Sequence, residues 1–192
     1  MSNRSFSSLA LPPAQLANLE RNLALSLETC KPAILHCRSA TGQHDAQDAL
    51  IAALRTAGVG GSAWASAFGD RPPAVIHSFS GSVDYARQVI DLGLAVSFSG
   101  LVFRAGEEPS TEVAALVPAA CLLVETDSPF RAPPGAPRSR NEPEWVRITG
   151  AWVAERRGTT AERLGPTLVT TYDRTFPRSA ARARLTAAAR VR

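Results

Sequence analysis

The chain has 192 residues with a hydrophobic fraction of 45% and a charged fraction of 20%, values typical of one soluble globular domain. No apolar run approaches the roughly 20 residues of a membrane-spanning helix, so a membrane protein is excluded and no membrane partner is expected. The net charge of +4 favours a polyanionic partner. Three cysteines without a CxxC pair exclude a disulfide framework and predict a reducing compartment, the cytoplasm, with a nuclear or mitochondrial location left open.

The first part of the chain alternates between helical and strand patterns. Leucines at helical spacing predict a helix over residues 14–29, and a proline separates it from a short buried strand, 33–35. A second helix is predicted over 43–57. The glycine-rich segment 58–73 precedes no GK[ST] motif, so we interpret it as an inserted loop.

The same alternation continues to residue 176. Further strands are predicted over 74–79, 94–100 and 121–127, and further helices over 82–93, 110–117, 142–158 and 160–176, with a Pro-rich loop over 129–140. Gly165-Pro166 is expected to break the last helix. Short apolar strands separated by helices are typical of a parallel sheet covered by helices. The sequence therefore predicts an α/β protein whose four strands are half of the eight in a (β/α)8 barrel.

Residues with useful chemistry stand at the ends of the predicted strands, where parallel sheets collect functional groups. His36 ends the first strand, His77 the second and Asp127 the fourth, whereas the third ends on Ser97 and Ser99. A lone histidine is commonly a hydrogen-bonded core residue, and an aspartate before Ser-Pro commonly caps a turn or helix. Together, two imidazoles and a carboxylate suit a divalent metal such as Zn²⁺ or Mn²⁺.

Two further residues bear on this site. Glu125 and Asp127 alternate along the strand, so both carboxylates can point to the same side and share general acid–base work. Glu125 can equally orient a histidine, which is the role that we favour. His44 lies near a helix start and is expected at the surface.

Five ordered segments resemble a single family. The segments PAILHCRSA, VIHSFSGS, GLAVSFSG, LLVETDSPF and RNEPEWV occur in this order, at suitable separations, between residues 15 and 176. Together they resemble the TatD family of metal-dependent deoxyribonucleases, within the amidohydrolase-like TIM barrels. The resemblance implies a (β/α)8 TIM-barrel fold, of which this chain carries the last four βα units.

The resemblance also implies an activity and its residues. His36, His77 and Asp127 would be ligands of one or two divalent metal ions, Mg²⁺, Mn²⁺ or Zn²⁺, and Asp127 would also position or deprotonate the attacking water. The implied reaction is hydrolysis of phosphodiester bonds in DNA, with a 3′-5′ exonuclease favoured over an endonuclease and with RNA or another ester substrate left open. Arg38 is interpreted either as a phosphate contact or as part of a structural salt bridge. The RNEP segment, 140–143, is expected to shape the loop at the mouth of the site.

The chain departs from the family's pattern upstream of these segments. It has no His-x-His pair, and nothing like the family's Glu-x-Gly-Leu-Asp segment precedes residue 15. Thr171 stands where the family often has an asparagine. The alternative hypothesis is therefore a non-catalytic, truncated or split half-barrel that lacks the N-terminal metal ligands.

A half-barrel has consequences for partners and organisation. Its first and last strands expose edges that invite pairing, so we expect self-association, a partner chain that covers the half-barrel, or marginal stability. We expect an N-terminal extension, 1–14, a partial barrel domain, 15–177, and a basic tail, 178–192. A third hypothesis makes the Arg-rich tail a nucleic-acid-binding module.

Overall fold

A computed structural model describes residues 13–40, 42–136 and 140–177. The predicted tail, 178–192, lies outside the described residues, as does the predicted extension up to residue 12. Along the described chain the elements are α1 (Pro13–Thr29), β1 (Ala33–His36), α2 (Asp45–Thr56), α3 (Ser62–Phe68), β2 (Ala74–His77), α4 (Val83–Asp91), β3 (Ala95–Phe98), α5 (Ser110–Leu116), β4 (Leu122–Val124), α6 (Val146–Arg156) and α7 (Ala161–Thr175). Short 3-10 helices cover Gly100–Phe103, Ala119–Cys121 and Pro143–Trp145.

The four strands form one parallel sheet in the order β1-β2-β3-β4. Helical segments connect consecutive strands, as parallel pairing requires, because the chain must return to the same end of the sheet. His36 is paired with His77 in the register of β1 and β2, so the two imidazoles start from neighbouring positions. The predicted α/β fold with a parallel sheet is confirmed.

The two faces of the sheet differ because side chains alternate along each strand. One face packs against the helices and forms the main hydrophobic core, with Ile76, Val96, Phe98 and Leu122 buried. The other face, which we call the inner face, carries a second, smaller cluster of Val75, Ala95 and Leu123, against which Phe176 packs. Ile34, the equivalent residue of β1, is 65% exposed. Burial of the inner face therefore falls away toward β1.

The prediction of a loop over 58–73 is wrong for its centre, which forms α3. Trp64 and Phe68 lie four residues apart, so a helix places them on one side. Their rings stack with centroids 5.6 Å apart, and both side chains are buried in the main core. The gain from burying two aromatic side chains outweighs the turn-forming tendency of the surrounding glycines.

The second, third and fourth strands are shorter than predicted, whereas β1 extends one residue further, to His36. The ladder after β4 continues for one hydrogen bond, in which the Glu125 N–H donates to the Phe98 carbonyl at 2.9 Å. The prediction that Asp127 is the last residue of the strand is wrong. The strand β4 ends at Val124, and Asp127 lies in the loop beyond it. A turn bond from the Phe130 N–H to the Asp127 carbonyl, at 2.7 Å, redirects the chain there.

The prediction that Gly165-Pro166 breaks the last helix is also wrong, because α7 is continuous. Leu164 is buried before the proline, and Thr171 and Thr175 are buried after it. Packing on both sides of Pro166 thus holds a helix that its missing N–H would weaken. None of the helices in the described ranges is both long and apolar enough to span a membrane.

Gly100 predicts a measurable effect on stability, because the loop after β4 passes directly over it. An added Cβ atom would clash with the carbonyl oxygen of Arg131, which belongs to the backbone and cannot rotate away as a side chain could. We expect Gly100→Ala to lower the free energy of unfolding by about 1–3 kcal/mol, the usual cost of overpacking. Urea denaturation measures this change.

Gly150→Ala is the matched control. Gly150 lies inside α6, and a Cβ atom there would meet nothing within 4 Å. This change should leave stability unaltered or raise it by up to about 1 kcal/mol, because alanine is the better helix former. Equal stabilities of the two variants would show that Gly100 has more room than the structure indicates.

Candidate functional site

The imidazole of His77 lies between two carboxylates at the carboxyl end of β2. Its Nδ1 is 2.7 Å from Oε1 of Glu125, and its Nε2 is 3.2 Å from Oδ1 of Asp127. The hydrogen bond to Glu125 is the main reason why the pKa of His77 lies above its usual value, and partial burial opposes it. Two carboxylates that face one imidazole stabilise a positive charge at that position. Either a proton on the imidazole or a bound metal cation can supply this charge.

Glu125 connects the ends of two strands that are not neighbours. Its Oε1 accepts a hydrogen bond from the backbone N–H of Ser78 at 2.6 Å, in addition to its contact with His77. Ser78 has a φ of 48°, in the left-handed region that non-glycine residues seldom adopt. The N–H that meets Glu125 is thus presented by an unusual backbone conformation, which is common at functional sites. These contacts are the ones that a histidine-orienting role for Glu125 requires.

Asp127 is held by two serine hydroxyls. Ser99 Oγ lies 2.8 Å from its Oδ2, and Ser78 Oγ lies 3.1 Å from the same atom. The Nε of Arg131 is 3.6 Å away from that oxygen. Since these groups gather around Oδ2, the other oxygen, Oδ1, is left to face His77. The carboxylate therefore has one oxygen fixed by the protein and one directed into the site.

His36 lies beside this group at the end of β1. Its ring centroid is 5.6 Å from that of His77, and the two ring planes are inclined by 44°. Loss of solvent around the ring lowers the pKa of His36, and the neighbouring His77 lowers it further. His36 is thus the histidine more readily available as a neutral ligand.

The side chains that come together are His77, Glu125 and Asp127. Their ligand atoms all lie within 4.8 Å of one another, which is compatible with a shared metal ion. An imidazole with two carboxylates suits Mn²⁺ or Zn²⁺. His36 flanks this group, and His44 is exposed at the surface, as predicted. The sequence analysis named all of the grouped residues but gave Glu125 an orienting role.

Arg38 forms a salt bridge with a residue that the sequence analysis missed. Its Nη2 is 3.0 Å from Oε1 of Glu107, which also accepts a hydrogen bond from Ser80 Oγ at 3.0 Å. Glu107 is buried, and this burial raises its pKa. The side chain of Arg38 is still 39% exposed. It can therefore belong to a salt bridge and also face a ligand, so both interpretations of Arg38 remain compatible with the structure.

The hydrogen bonds from Ser78 and Ser99 to Asp127 were also not predicted from the sequence. Ser78 and Ser99 belong to two copies of the tetrapeptide SFSG, at 78–81 and 97–100. The first copy follows directly after β2 and the second begins within the last residues of β3, so both lie at the carboxyl edge of the sheet. This repetition is a sequence signal for their shared role. The sequence signal for Glu107 is weaker, because it is only one acidic residue in the segment after β3.

The parallel sheet carries imidazole, carboxylate and hydroxyl groups at its carboxyl edge, which is the arrangement found at the active-site end of (β/α)8 barrels. The family model described as "TatD related DNase" matches residues 6–177. The chain therefore belongs to the TatD family.

Curated relatives carry names of the same family. The chain is 36% identical over 162 residues to the "3′-5′ ssDNA/RNA exonuclease TatD" of Klebsiella pneumoniae, covering 81% of this chain and 54% of that protein. It is 32% identical over 164 residues to the "uncharacterized metal-dependent hydrolase YcfH" of Escherichia coli K12, covering 84% of this chain and 55% of that one. The chain thus spans about half the length of these relatives.

Solved structures show the same fold. The TatD homologue YJJV of Escherichia coli K12 superposes with a TM-score of 0.69 at 26% identity, covering 86% of this chain and 57% of that chain. A TatD family hydrolase of Entamoeba histolytica gives a TM-score of 0.67 at 15% identity, with the same coverage of 86% and 57%. This second likeness shows the fold alone. The predicted relation to TatD-type TIM barrels is confirmed.

The two histidines should titrate in a fixed order in the metal-free protein. We expect the pKa of His77 to lie above that of His36. The contact with Glu125 raises the pKa of His77, and loss of solvent lowers the pKa of His36. Two-dimensional NMR of the imidazole protons, recorded in a chelator across the range from pH 5 to 9, roughly centred on the usual histidine pKa, measures both. Glu125→Gln should lower the pKa of His77, and Glu108→Gln, an exposed change in another loop, is the control.

This order gives the sign of a stability change with pH. The folded-state pKa of His77 is above its unfolded value of about 6.5, so the charged pair stabilises the metal-free fold fully below that pH. The contribution disappears as the pH rises through the folded-state pKa. A pKa of His77 that is below that of His36 would contradict the contact between His77 and Glu125.

Proposed function

We propose that this chain supplies the carboxyl-terminal half of a metal-dependent phosphodiesterase that removes nucleotides from the 3′ end of single-stranded DNA. The observation that carries the proposal is the convergence of His77, Glu125 and Asp127 at the carboxyl edge of a TatD-family sheet. A relative at 36% identity is named a 3′-5′ ssDNA/RNA exonuclease. The net charge of +4 is consistent with a polyanionic substrate.

His36, His77 and Asp127 would hold the metal, one or two ions of Mg²⁺, Mn²⁺ or Zn²⁺. When bound, the metal lowers the pKa of water and stabilises charge on the phosphoryl oxygens. Glu125 would keep the imidazole of His77 in the orientation set by their 2.7 Å contact. The support for this ligand set is that Nε2 of His77 lies 3.2 Å from Oδ1 of Asp127 and that the ring centroid of His36 is 5.6 Å from that of His77.

Asp127 would also position the attacking water and accept its proton. Ser78 and Ser99 hold Oδ2, so the carboxylate cannot swing away from the site without losing two hydrogen bonds. Oδ1 is the oxygen left for the reacting groups. Arg38 and Arg131 would provide positive charge for the substrate phosphates, since the first is partly exposed and the second lies beside Asp127.

Asp127→Asn tests this function directly. With Mg²⁺, Mn²⁺ or Zn²⁺ we expect the chain to shorten single-stranded DNA from its 3′ end, and the variant to be slower by about 100-fold or more, the scale of a lost general base. A 5′-labelled oligonucleotide resolved on a gel reports both rate and direction. Asp84→Asn, an exposed change on α4, is the matched control.

Two results would contradict the proposal. Cleavage that persists in a chelator would exclude a metal-dependent reaction. Cleavage that is as fast in Asp127→Asn as in the unaltered chain would remove Asp127 from the reaction.

His77→Ala tests the metal site independently of turnover. We expect the affinity for Mn²⁺ or Zn²⁺ to fall by at least about 10-fold to 100-fold, because loss of even an outer partner of a ligand costs this much. Isothermal titration calorimetry measures it. His44→Ala, an exposed histidine away from the cluster, should bind as the unaltered chain does. An unchanged affinity in His77→Ala would exclude His77 as a ligand.

The alternative function is a non-catalytic half-barrel. It is favoured by the exposure of Ile34 on the inner face. A half-barrel that binds metal but leaves single-stranded DNA intact would support this alternative.

We also propose that the half-barrel associates with a second copy or with a partner chain. Within the described residues, β1 and β4 each pair on one side only, so both present an edge. Sedimentation velocity at increasing concentration tests self-association, and a monomer at every concentration would exclude it. A cytoplasmic location is proposed as well, since Cys30, Cys37 and Cys121 are free and burial raises the pKa of the Cys37 thiol to about 11.

A further inference from the structure

The loop after β4 holds an aromatic ring in solvent close to the candidate site. Phe130 follows Asp127 by three residues, and it is 73% exposed. Single exposed apolar residues are normal on protein surfaces and by themselves indicate nothing. The surroundings of Phe130 distinguish it from such residues.

The backbone of Phe130 is fixed on both sides while its ring is left free. Its N–H donates to the Asp127 carbonyl at 2.7 Å, and its own carbonyl accepts from Asn141 Nδ2 at the same distance. Asn141 is only 2% exposed, so this second bond is made inside the protein. The backbone carbonyl of the next residue, Arg131, packs closely against Gly100, which also restricts the loop. The RNEP segment therefore shapes this loop through Asn141, as the sequence predicted.

The ring borders an open pocket of about 730 Å³. Arg104, Arg131 and Asn141 also line it, and none of the described residues of its lining is acidic. The volume is in the range of small-ligand sites, about 300–1,000 Å³. Its walls thus combine one flat apolar surface with two cations, one of which, Arg131, has its Nε 3.6 Å from Oδ2 of Asp127.

We propose that Phe130 is a stacking platform for a base of single-stranded nucleic acid, with Arg104 and Arg131 facing the adjacent phosphates. The assignment rests on the proposed phosphodiesterase function and adds a substrate-binding surface to it. Aromatic rings with neighbouring cations are the means by which proteins bind single strands without sequence preference, since every base has a flat face. In a duplex that face is covered by the neighbouring base pairs, so this surface selects single strands and frayed ends.

The test compares two ligands that carry the same phosphates but differ in their bases. Binding of oligothymidylate and of an abasic phosphodiester chain of equal length is measured by competition against a labelled oligonucleotide, in a chelator so that nothing is cleaved. We expect Phe130→Ala to weaken the binding of oligothymidylate by about 5-fold to 100-fold, the usual range for one stacked base. Binding of the abasic chain should be unaltered.

Two further variants separate stacking from apolar contact. Phe130→Trp keeps a flat ring and should bind oligothymidylate at least as tightly as the unaltered chain. Phe130→Leu keeps an apolar side chain without a ring and should behave as Phe130→Ala does.

Three outcomes would overturn the proposal. The first is equal affinity of the unaltered chain and Phe130→Ala for oligothymidylate. The second is an equal loss for both ligands, which would mean that the loop was disturbed. The third is failure of the unaltered chain to prefer oligothymidylate over the abasic chain. A chain that binds bases through Phe130 but cleaves no DNA would refute the phosphodiesterase proposal and leave the stacking surface standing.

Discussion

The Glu125 carboxylate joins the ends of two strands that the sheet itself does not join. It begins beyond β4 and reaches the backbone of Ser78 and the imidazole of His77, both at the end of β2, so it passes over β3. In (β/α)8 barrels, alternate strands contribute side chains to the same interior layer. The contact between Glu125 and His77 follows this pattern, because β2 and β4 are alternate strands of the sheet. The position of His77, and through it the geometry of the whole site, depends on this bridge.

Around this contact the site places chemically similar groups in opposite electrostatic environments. The carboxylates that face His77 raise its pKa, whereas loss of solvent lowers the pKa of His36, one strand away. The two carboxylate oxygens of Asp127 also have different surroundings. One is bound by serine hydroxyls and the other faces the imidazole of His77. Such opposed environments on neighbouring groups are the usual means by which one site provides both ligands and a base.

The same sheet is unevenly supported on its two faces. The helix-covered face buries a continuous core, in which the aromatic side chains of α3 take part. The inner face has a small cluster and an exposed Ile34. Membership of the TatD family gives this difference a physical meaning, because the inner face of a complete barrel is covered by the opposite strands. The fold can thus form its outer layers and its site edge while part of its interior surface is left open.

From the sequence alone, the order of helices and strands, the parallel sheet and the positions of His36, His77 and Asp127 at its carboxyl edge could be predicted. Each follows from a local pattern, an apolar strand that stops at a polar residue, and from the rule that parallel strands point the same way. The helix α3, the continuity of α7 and the serine contacts of Asp127 were decided by tertiary structure. Burial of Trp64 and Phe68 overrides local turn tendency, and packing on both sides of Pro166 overrides its missing N–H. Contacts such as those from Ser78 and Ser99 to Asp127 join residues far apart in the chain, and only the curvature of the folded sheet decides which of them meet.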